Sequence, residues 1–439
     1  LEGVAAPEQA ASSRITVTLV LAAYDKETYQ FSQLGGDISV TMDSTGNTRL
    51  VDLMDAAQAQ GKLTYSYSTT PTFGRFIHTI NDYAVNQPDG WMFTINDKLS
   101  NVSASLATVQ DGDTVLWFEG TTENRFQGPT LAQLRGESIE WVDIASVADL
   151  LALAKSSNDG VLAKNYRLTA DLDLSGVDFP GIGTAAHPFT GLFDGQGHTV
   201  SGLNVSAQYA GLFGVIKDAE IRNVVVQGTV ASTSSGSGDA GGIAGRAVGT
   251  TNVIENCGNE ANVSGGSNVG GILGNSQNYN TTVTVTGCYN SGSISASDRA
   301  GGIIGRYNNS NPRITDCYNT GAVSSSTYAA GILAGSSSNI SRCYNVGTIT
   351  GKDASKTGAF TTSSYNSLTD CYYLTGSIPA GALDNGANAM TLTEMQTTLL
   401  TALGAEKWKQ VRGVNQGLPI LQWQTADGPA ASGRHRLRA

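Results

Sequence analysis

The stretch Gly301-Gly302-Ile303-Ile304-Gly305 decides how this chain is read, because copies of it recur on both sides. Gly241-Gly242-Ile243-Ala244-Gly245 and Gly270-Gly271-Ile272-Leu273-Gly274 precede it, and Ala330-Gly331-Ile332-Leu333-Ala334 follows. Ala210-Gly211-Leu212-Phe213-Gly214 and Thr190-Gly191-Leu192-Phe193-Asp194 read as earlier, looser copies, and Gly358-Ala359-Phe360 as a degraded last one. From residue 210 the copies start at 210, 241, 270, 301 and 330, a period of 29 to 31 residues. Self-similarity at this spacing marks a solenoid.

A second column runs in phase with these boxes: Cys257-Gly258-Asn259, Cys288-Tyr289-Asn290, Cys317-Tyr318-Asn319, Cys343-Tyr344-Asn345 and Cys371-Tyr372-Tyr373. The chain between box and triplet is short, polar and poor in helix formers, so it cannot hold a crossover helix. Pieces such as Thr282-Val283-Thr284-Val285 alternate apolar and polar residues, as half-buried strands do. Chain that advances one strand spacing per repeat without helices makes a right-handed parallel β-helix. Seven such turns would form a rod about 34 Å long. The box glycines suit sharp bends, which need positive φ or close backbone approach. The Ile, Leu or Phe inside each box points to the core, where like residues stack on like.

All five cysteines, Cys257, Cys288, Cys317, Cys343 and Cys371, lie in these repeats. Val224 falls in the same slot one repeat earlier, and Leu203 reads as its equivalent before that. A slot that takes Leu, Val or Cys is a small apolar one, so the cysteines read as a core ladder of free thiols. One Cys every 26 to 31 residues does not supply the paired ligands of a zinc site. If the cysteines point inward, strand alternation sends Tyr289, Tyr318, Tyr344 and Tyr372 outward. Stacked coils would then align them as an exposed aromatic column, a candidate surface for sugars or protein partners.

The remaining sequence frames the repeats. Residues 1–13 are a small, polar leader, and 425–439 a flexible tail ending in Arg434-His435-Arg436-Leu437-Arg438. Between 14 and 120 the pattern changes. Ile15 to Val20 alternates as a strand; Leu50, Val51, Leu53, Met54 and Ala57 fall at helical spacing before Gly61; strands follow at Phe76–Ile80, Trp91–Ile95 and Thr114–Phe118. This order predicts a small α+β, β-grasp-like domain, with Trp91 in its core. A linker at 121–138 leads to Ser146-Val147-Ala148-Asp149, a capping-box-like start for a helix that closes one end of the solenoid. Thr391-Leu392-Thr393-Glu394 starts a second helix, which with Leu418 to Trp423 reads as the other cap.

Two resemblances follow from these phrases. Gly74-Arg75-Phe76-Ile77, Gly90-Trp91-Met92-Phe93 and Asp111-Gly112-Asp113-Thr114-Val115, with Ile80-Asn81 and Ile95-Asn96, resemble a family of bacterial surface domains similar to the transcobalamin C-terminal β domain, across residues 14–119. That resemblance implies a corrinoid-like small molecule as one further ligand. The boxes, with Asn165 to Leu174 and Phe189 to His198, resemble the GLUG-repeat family of bacterial surface adhesins and of the non-catalytic part of immunoglobulin A peptidases, across 139–424. It implies a secreted or surface-displayed β-helix and does not imply catalysis; the chain is further expected to be monomeric, non-catalytic and without a cofactor.

A net charge of −11 and the lack of a basic stripe argue against nucleic acid, and no apolar run is long enough to span a membrane. The four histidines are scattered, with no His-Glu-x-x-His stretch. Gly236-Ser237-Gly238-Asp239-Ala240-Gly241 matches a dinucleotide fingerprint only formally, outside any strand–helix context. Asp171, Asp173 and Asp194 with His198 could form an acid/base cluster, but they also suit turns and strand ends. The expectation is therefore a surface module that binds a glycan or protein. The alternatives are a polysaccharide lyase or glycosidase on the β-helix, and a structural spacer.

Overall fold

The computed structural model of the chain describes residues 13–26, 30–44, 46–71, 74–85, 89–100, 102–121, 128–135, 140–233, 238–276, 281–307, 312–335, 339–363 and 367–425. Residues 1–12 of the leader, 426–439 of the tail, 122–127 and 136–138 of the linker, and Gly236-Ser237 of the formal fingerprint lie outside the described residues. The chain divides into two compact units, Leu1–Ile139 and Glu140–Ala439.

In the first unit, Ser13–Asp25 pairs antiparallel with Ile38–Ser44 and parallel with Thr114–Gly120, so the first and last long strands lie side by side. Helix α1 (Leu50–Ala59) packs on this sheet and buries Leu50, Leu53, Met54 and Ala57 against Val17, Leu19 and Trp117 in one core. Gln60 caps its end, followed by Gly61 at φ 66°. Gly90–Ile95 joins the other edge of Thr114–Gly120 and returns through a tight turn at Asn96 and Asp97, whose φ values of 51° and 61° suit these residue types. Trp91 is buried edge-on to Tyr83, and Trp117 packs on Phe93. This is the small β domain that the alternation predicts.

The second unit is a parallel β-solenoid of about 7 turns, and the chain is mainly β. The coil with the quoted box shows the plan. Arg299–Gly301 and Ile304–Tyr307 flank the bend, Arg313–Thr315 forms the next face, and Tyr318–Asn319 with Val323–Ser325 form the last. Each segment pairs in parallel with its counterpart one coil on: Gly301 with Ala330, Ile314 with Ile340, Asn319 with Asn345, Val323 with Ile349. Inward residues therefore stack by kind, and Ile243, Ile272, Ile303, Ile332 and Phe360 form one fully buried column. Each such side chain contributes about 1.5–3 kcal/mol of burial. Helix α2 (Val147–Ala154) closes the first coil with Leu150, Leu153 and Ala154, its Ser146 hydroxyl accepting from the Asp149 N–H at 3.3 Å.

Of the two reasons expected for the box glycines, close approach is the one that holds from Gly211 to Gly358: none of these has a positive φ, and a Cβ on Gly302 would come within 3.0 Å of the Gly331 carbonyl and the Asn319 side chain. Left-handed bends recur instead at Asn223, Asn256, Gly287, Asp316, Arg342 and Asp370, each directly before Val224 or a cysteine. Two sequence expectations need correction. Thr190 to Asp194 is no box, since Leu192–Asp194 pairs with Glu220–Arg222 on another face; the true counterpart is Gly181-Ile182-Gly183, with Ile182 bridging to Phe213. Leu203 does not occupy the cysteine slot either. Val225 pairs with Thr199, which puts His198 opposite Val224, whereas Leu203 faces Gly228.

Candidate functional site: a polar network at the glycine bends

The two columns singled out in the sequence are internal. The five cysteines are free and buried. The Cys257 N–H donates to the Cys288 sulfur at 3.4 Å and the Cys317 N–H to the Cys343 sulfur at 3.3 Å, while the Cys288 and Cys317 sulfurs lie 3.6 and 3.7 Å from the Ile254 and Val285 carbonyls. Burial pushes the Cys288, Cys317 and Cys343 thiols well above their ordinary range, so they stay protonated and unreactive. Beside them runs a ladder of buried amides: Asn259 donates to Asn290 at 2.7 Å, Asn290 to Asn319 at 2.7 Å, and Asn319 to Asn345 at 2.8 Å. A Cβ on Gly242, Gly271, Gly302 or Gly331 would strike an asparagine of this ladder. Box and triplet run in phase for that reason.

The tyrosines do leave the coil on the outer side and do stack. Tyr318 lies 5.4 Å from Tyr289 and 4.9 Å from Tyr344, at interplanar angles of 11° and 5°. The column is nevertheless not an exposed platform: Tyr289 is 2% exposed and Tyr318 and Tyr344 0%. The C-terminal segment covers it. Helix α3 (Leu392–Leu403) supplies Met395, Leu399 and Leu403, and Trp408, Leu418 and Leu421 complete the cover. The Tyr344 hydroxyl donates to the Pro419 carbonyl at 2.6 Å, Trp423 Nε1 to the Gly287 carbonyl at 2.8 Å, and Trp408 Nε1 to Asp316 at 3.3 Å. The expected second cap is thus a strap along the side of the coils, and of the four tyrosines only Tyr372 stays partly exposed.

The candidate acid/base residues do not converge. His198 Nδ1 is 3.0 Å from Asp171, which also accepts from the Thr199 N–H at 2.9 Å. Asp173 turns back to the Ser175 N–H and hydroxyl, and Asp194 is held by Asn223, the Gln196 N–H and Arg222. These bonds outweigh burial and keep the Asp194 carboxyl below its ordinary range. Each carboxylate ties its own turn or strand end. No group of three His, Cys, Asp or Glu side chains suited to a metal occurs among the described residues.

Polar chemistry gathers instead where the boxes bend. Outward residues just before each box form one wall: Asp239, Asn268 and Arg299 in register. Outward residues just after it form the other: Arg246, Asn275 and Arg306. The glycine bend turns these walls toward each other. Asp239, fully buried, accepts from Arg246 Nε at 2.5 Å, from Asn268 at 2.7 Å and from Asn275 at 3.3 Å. Burial pushes its carboxyl up, against the pull of Asn268 and Arg246. Asn268 and Asn275 are 3% and 5% exposed, and both their amide oxygens lack a hydrogen-bond partner, as does Arg299 Nε. At the two ends Arg246 lies 3.9 Å from the centre of the Tyr209 ring and Arg299 4.1 Å from that of Tyr328.

The coil architecture does not require this network. The same outer positions hold Val215 one coil earlier and Gly335 in the coil after Arg306. Sequence reading missed it because it followed residues inside the boxes. The signal was present: the box sits between polar residues two places before its first glycine and directly after its last, in Asp239/Arg246, Asn268/Asn275 and Arg299/Arg306.

Comparison with known proteins agrees with this architecture. Residues 47–118 match DUF4430, a domain family of unknown function. Over 153 residues, 31% of the chain, the sequence is 36% identical to halomucin of Haloquadratum walsbyi, and the match spans only 2% of that protein's length. In fold, the chain is similar to a crystal structure described as a "putative immunoglobulin A1 protease" from Bacteroides ovatus, with a TM-score of 0.51 and 23% identity over 64% of this chain and 92% of that one. That likeness bears on fold alone. No helix among the described residues is long and apolar enough to cross a membrane.

Proposed function

We propose that the chain works outside the cell as a surface-displayed binding module, in which the solenoid presents the polar face at its glycine bends to a glycan or protein ligand and performs no catalysis. The observation that carries this reading is the Asp239 network. A buried ion pair with unsatisfied amide oxygens costs stability relative to an apolar filling, and the coils on either side do without it. Such a cost is retained where a partner completes the bonding. The GLUG-like repeats and the stretch similar to halomucin support the surface setting. The transcobalamin-like resemblance leaves the N-terminal domain as a second ligand-binding candidate.

A glycan array probed with the full chain, followed by incubation and analysis for shorter products, tests the reading. Binding that survives incubation without release of fragments is expected, as is its loss in an Arg246→Ala variant that keeps its cooperative unfolding. Release of shorter sugars would replace the binding module by a glycosidase or lyase. No retained glycan or protein would leave the spacer.

A further inference from the structure

The covered tyrosine column carries chemistry that packing alone does not use. Tyr289, Tyr318 and Tyr344 stack almost parallel, yet their phenols end on different partners. The Tyr344 hydroxyl donates to the Pro419 carbonyl at 2.6 Å, and the Tyr318 hydroxyl exchanges bonds with the Gln424 amide at 2.9 and 3.1 Å. Neither partner is a base. Tyr289 differs: its hydroxyl donates to Glu260 Oε1 at 2.7 Å, while Glu260 Oε2 accepts from Gln227 at 2.9 Å. The Tyr289 ring centre also lies 5.9 Å from that of Trp423, which, unlike the three stacked tyrosines, is partly exposed. Trp408 touches the stack as well, but the carboxylate that its indole N–H meets, Asp316, is already held by Arg342 through two bonds of 2.7 Å.

We propose that this cluster is a one-electron relay and radical sink, in which an electron vacancy formed on Trp423 by a one-electron oxidant, such as a peroxyl radical, moves to Tyr289 while the phenol proton passes to Glu260. The oxidant takes one electron from the Trp423 indole and becomes a peroxide anion. Tyr289 then returns one electron to the indole. Its O–H bond breaks as an O–H bond forms on the Glu260 carboxylate, leaving a neutral tyrosyl radical beside a neutral carboxyl. A one-electron reductant such as ascorbate reverses every step. A buried phenol radical cation is strongly disfavoured by lost hydration, so the vacancy settles where the proton can leave. That requires an acceptor within hydrogen-bond reach, which Glu260 supplies to Tyr289. Burial, with the Glu260 charge beside it, pushes the Tyr289 phenol well above its ordinary range, so it keeps its proton until the electron is drawn off. At 2% exposure the ring is also shielded from coupling to a radical on another chain. Stacking by itself needs no carboxylate, as Tyr318 and Tyr344 show. The relay is independent of glycan binding.

The test is flash photolysis of the full chain with a photogenerated ruthenium(III) polypyridyl oxidant, followed by transient absorption and electron paramagnetic resonance. A tryptophan radical should appear first and give way to a long-lived tyrosyl radical, more slowly in heavy water. Tyr289→Phe, which keeps a ring in the stack, should abolish the long-lived signal. Glu260→Gln keeps a hydrogen-bond acceptor but no base, and should slow formation of the tyrosyl radical at least about tenfold. Tyr372→Phe should leave the signal unchanged. Unfolding curves that match the parent place each loss in the electron transfer and not in the fold. A long-lived tyrosyl radical that survives Tyr289→Phe would overturn the assignment. Formation at the parent rate in Glu260→Gln would overturn the coupled proton transfer. A vacancy that stays on Trp423 in the parent would reduce the column to a packing device.

Discussion

The two units both bury aliphatic and aromatic side chains under β-sheet, but they specify their packing differently. In the N-terminal domain each contact is made once: Trp117 against Phe93, Leu53 and Met54 under Ser13–Asp25 and its neighbours. In the solenoid a side chain packs largely on its own counterpart one coil away, so a column of Ile, Val or Cys needs only matching size. The first unit depends on particular side chains, whereas the second depends on the spacing of its backbone. Its demanding positions are therefore those where chain meets chain, the box glycines, and those where the strap meets the tyrosine stack.

Three measurements break or sharpen that contrast. The largest effect belongs to the strap. Trp408→Ala opens the cover over Tyr318 and Tyr344, which it contacts at ring distances of 6.0 and 5.6 Å, and should cost about 3–5 kcal/mol. Calorimetry should show the solenoid transition falling while that of the N-terminal domain stays in place. A fall in both would mean that the units do not unfold separately.

Glycine substitutions come next. Gly302→Ala drives a Cβ against the Gly331 carbonyl and Asn319, neither of which can yield without shifting a coil; a loss of about 3 kcal/mol is expected. Gly112→Ala in the N-terminal domain meets nothing within 4 Å and carries only its φ of 82°, for a loss of about 1 kcal/mol. Equal losses in urea unfolding would show that backbone conformation, not coil spacing, governs both.

The smallest effect is electrostatic. The Thr199 N–H and His198 hold the Asp171 carboxyl below its ordinary range. A depressed folded pKa adds stability above the unfolded value and loses it as pH falls through the folded one. Asp171→Asn should therefore lower the midpoint at neutral pH by an amount worth about 1 kcal/mol or less, and the difference should vanish in acid. A gap that persists in acid would make the bond to Thr199 a neutral one.

Much of the fold was legible because a solenoid writes its tertiary contacts into its period. Residues one repeat apart become neighbours, so Asn290 and Asn319, 29 apart in sequence, meet in space. The capping signals at Ser146 and Thr391 were equally plain, since an N-cap depends on residues within one turn. Errors arose where a local phrase imitated the repeat. Thr190 to Asp194 shares the wording of a box but lies on another face, because one coil is set by pairing partners and not by composition.

The sequence alone determined the period, the stacked columns and the class of fold, because each is a relation between residues at a fixed interval. Only the tertiary structure decided which columns are covered and which face one another. Trp423 reaches Gly287 across 136 residues and Tyr344 reaches Pro419 across 75, and no periodicity encodes the docking of an aperiodic strap. The Asp239 network likewise exists only because the bend brings residues before and after each box into contact. That curvature comes from backbone packed too tightly for a Cβ, which shows in the sequence as glycine without saying which way the chain turns.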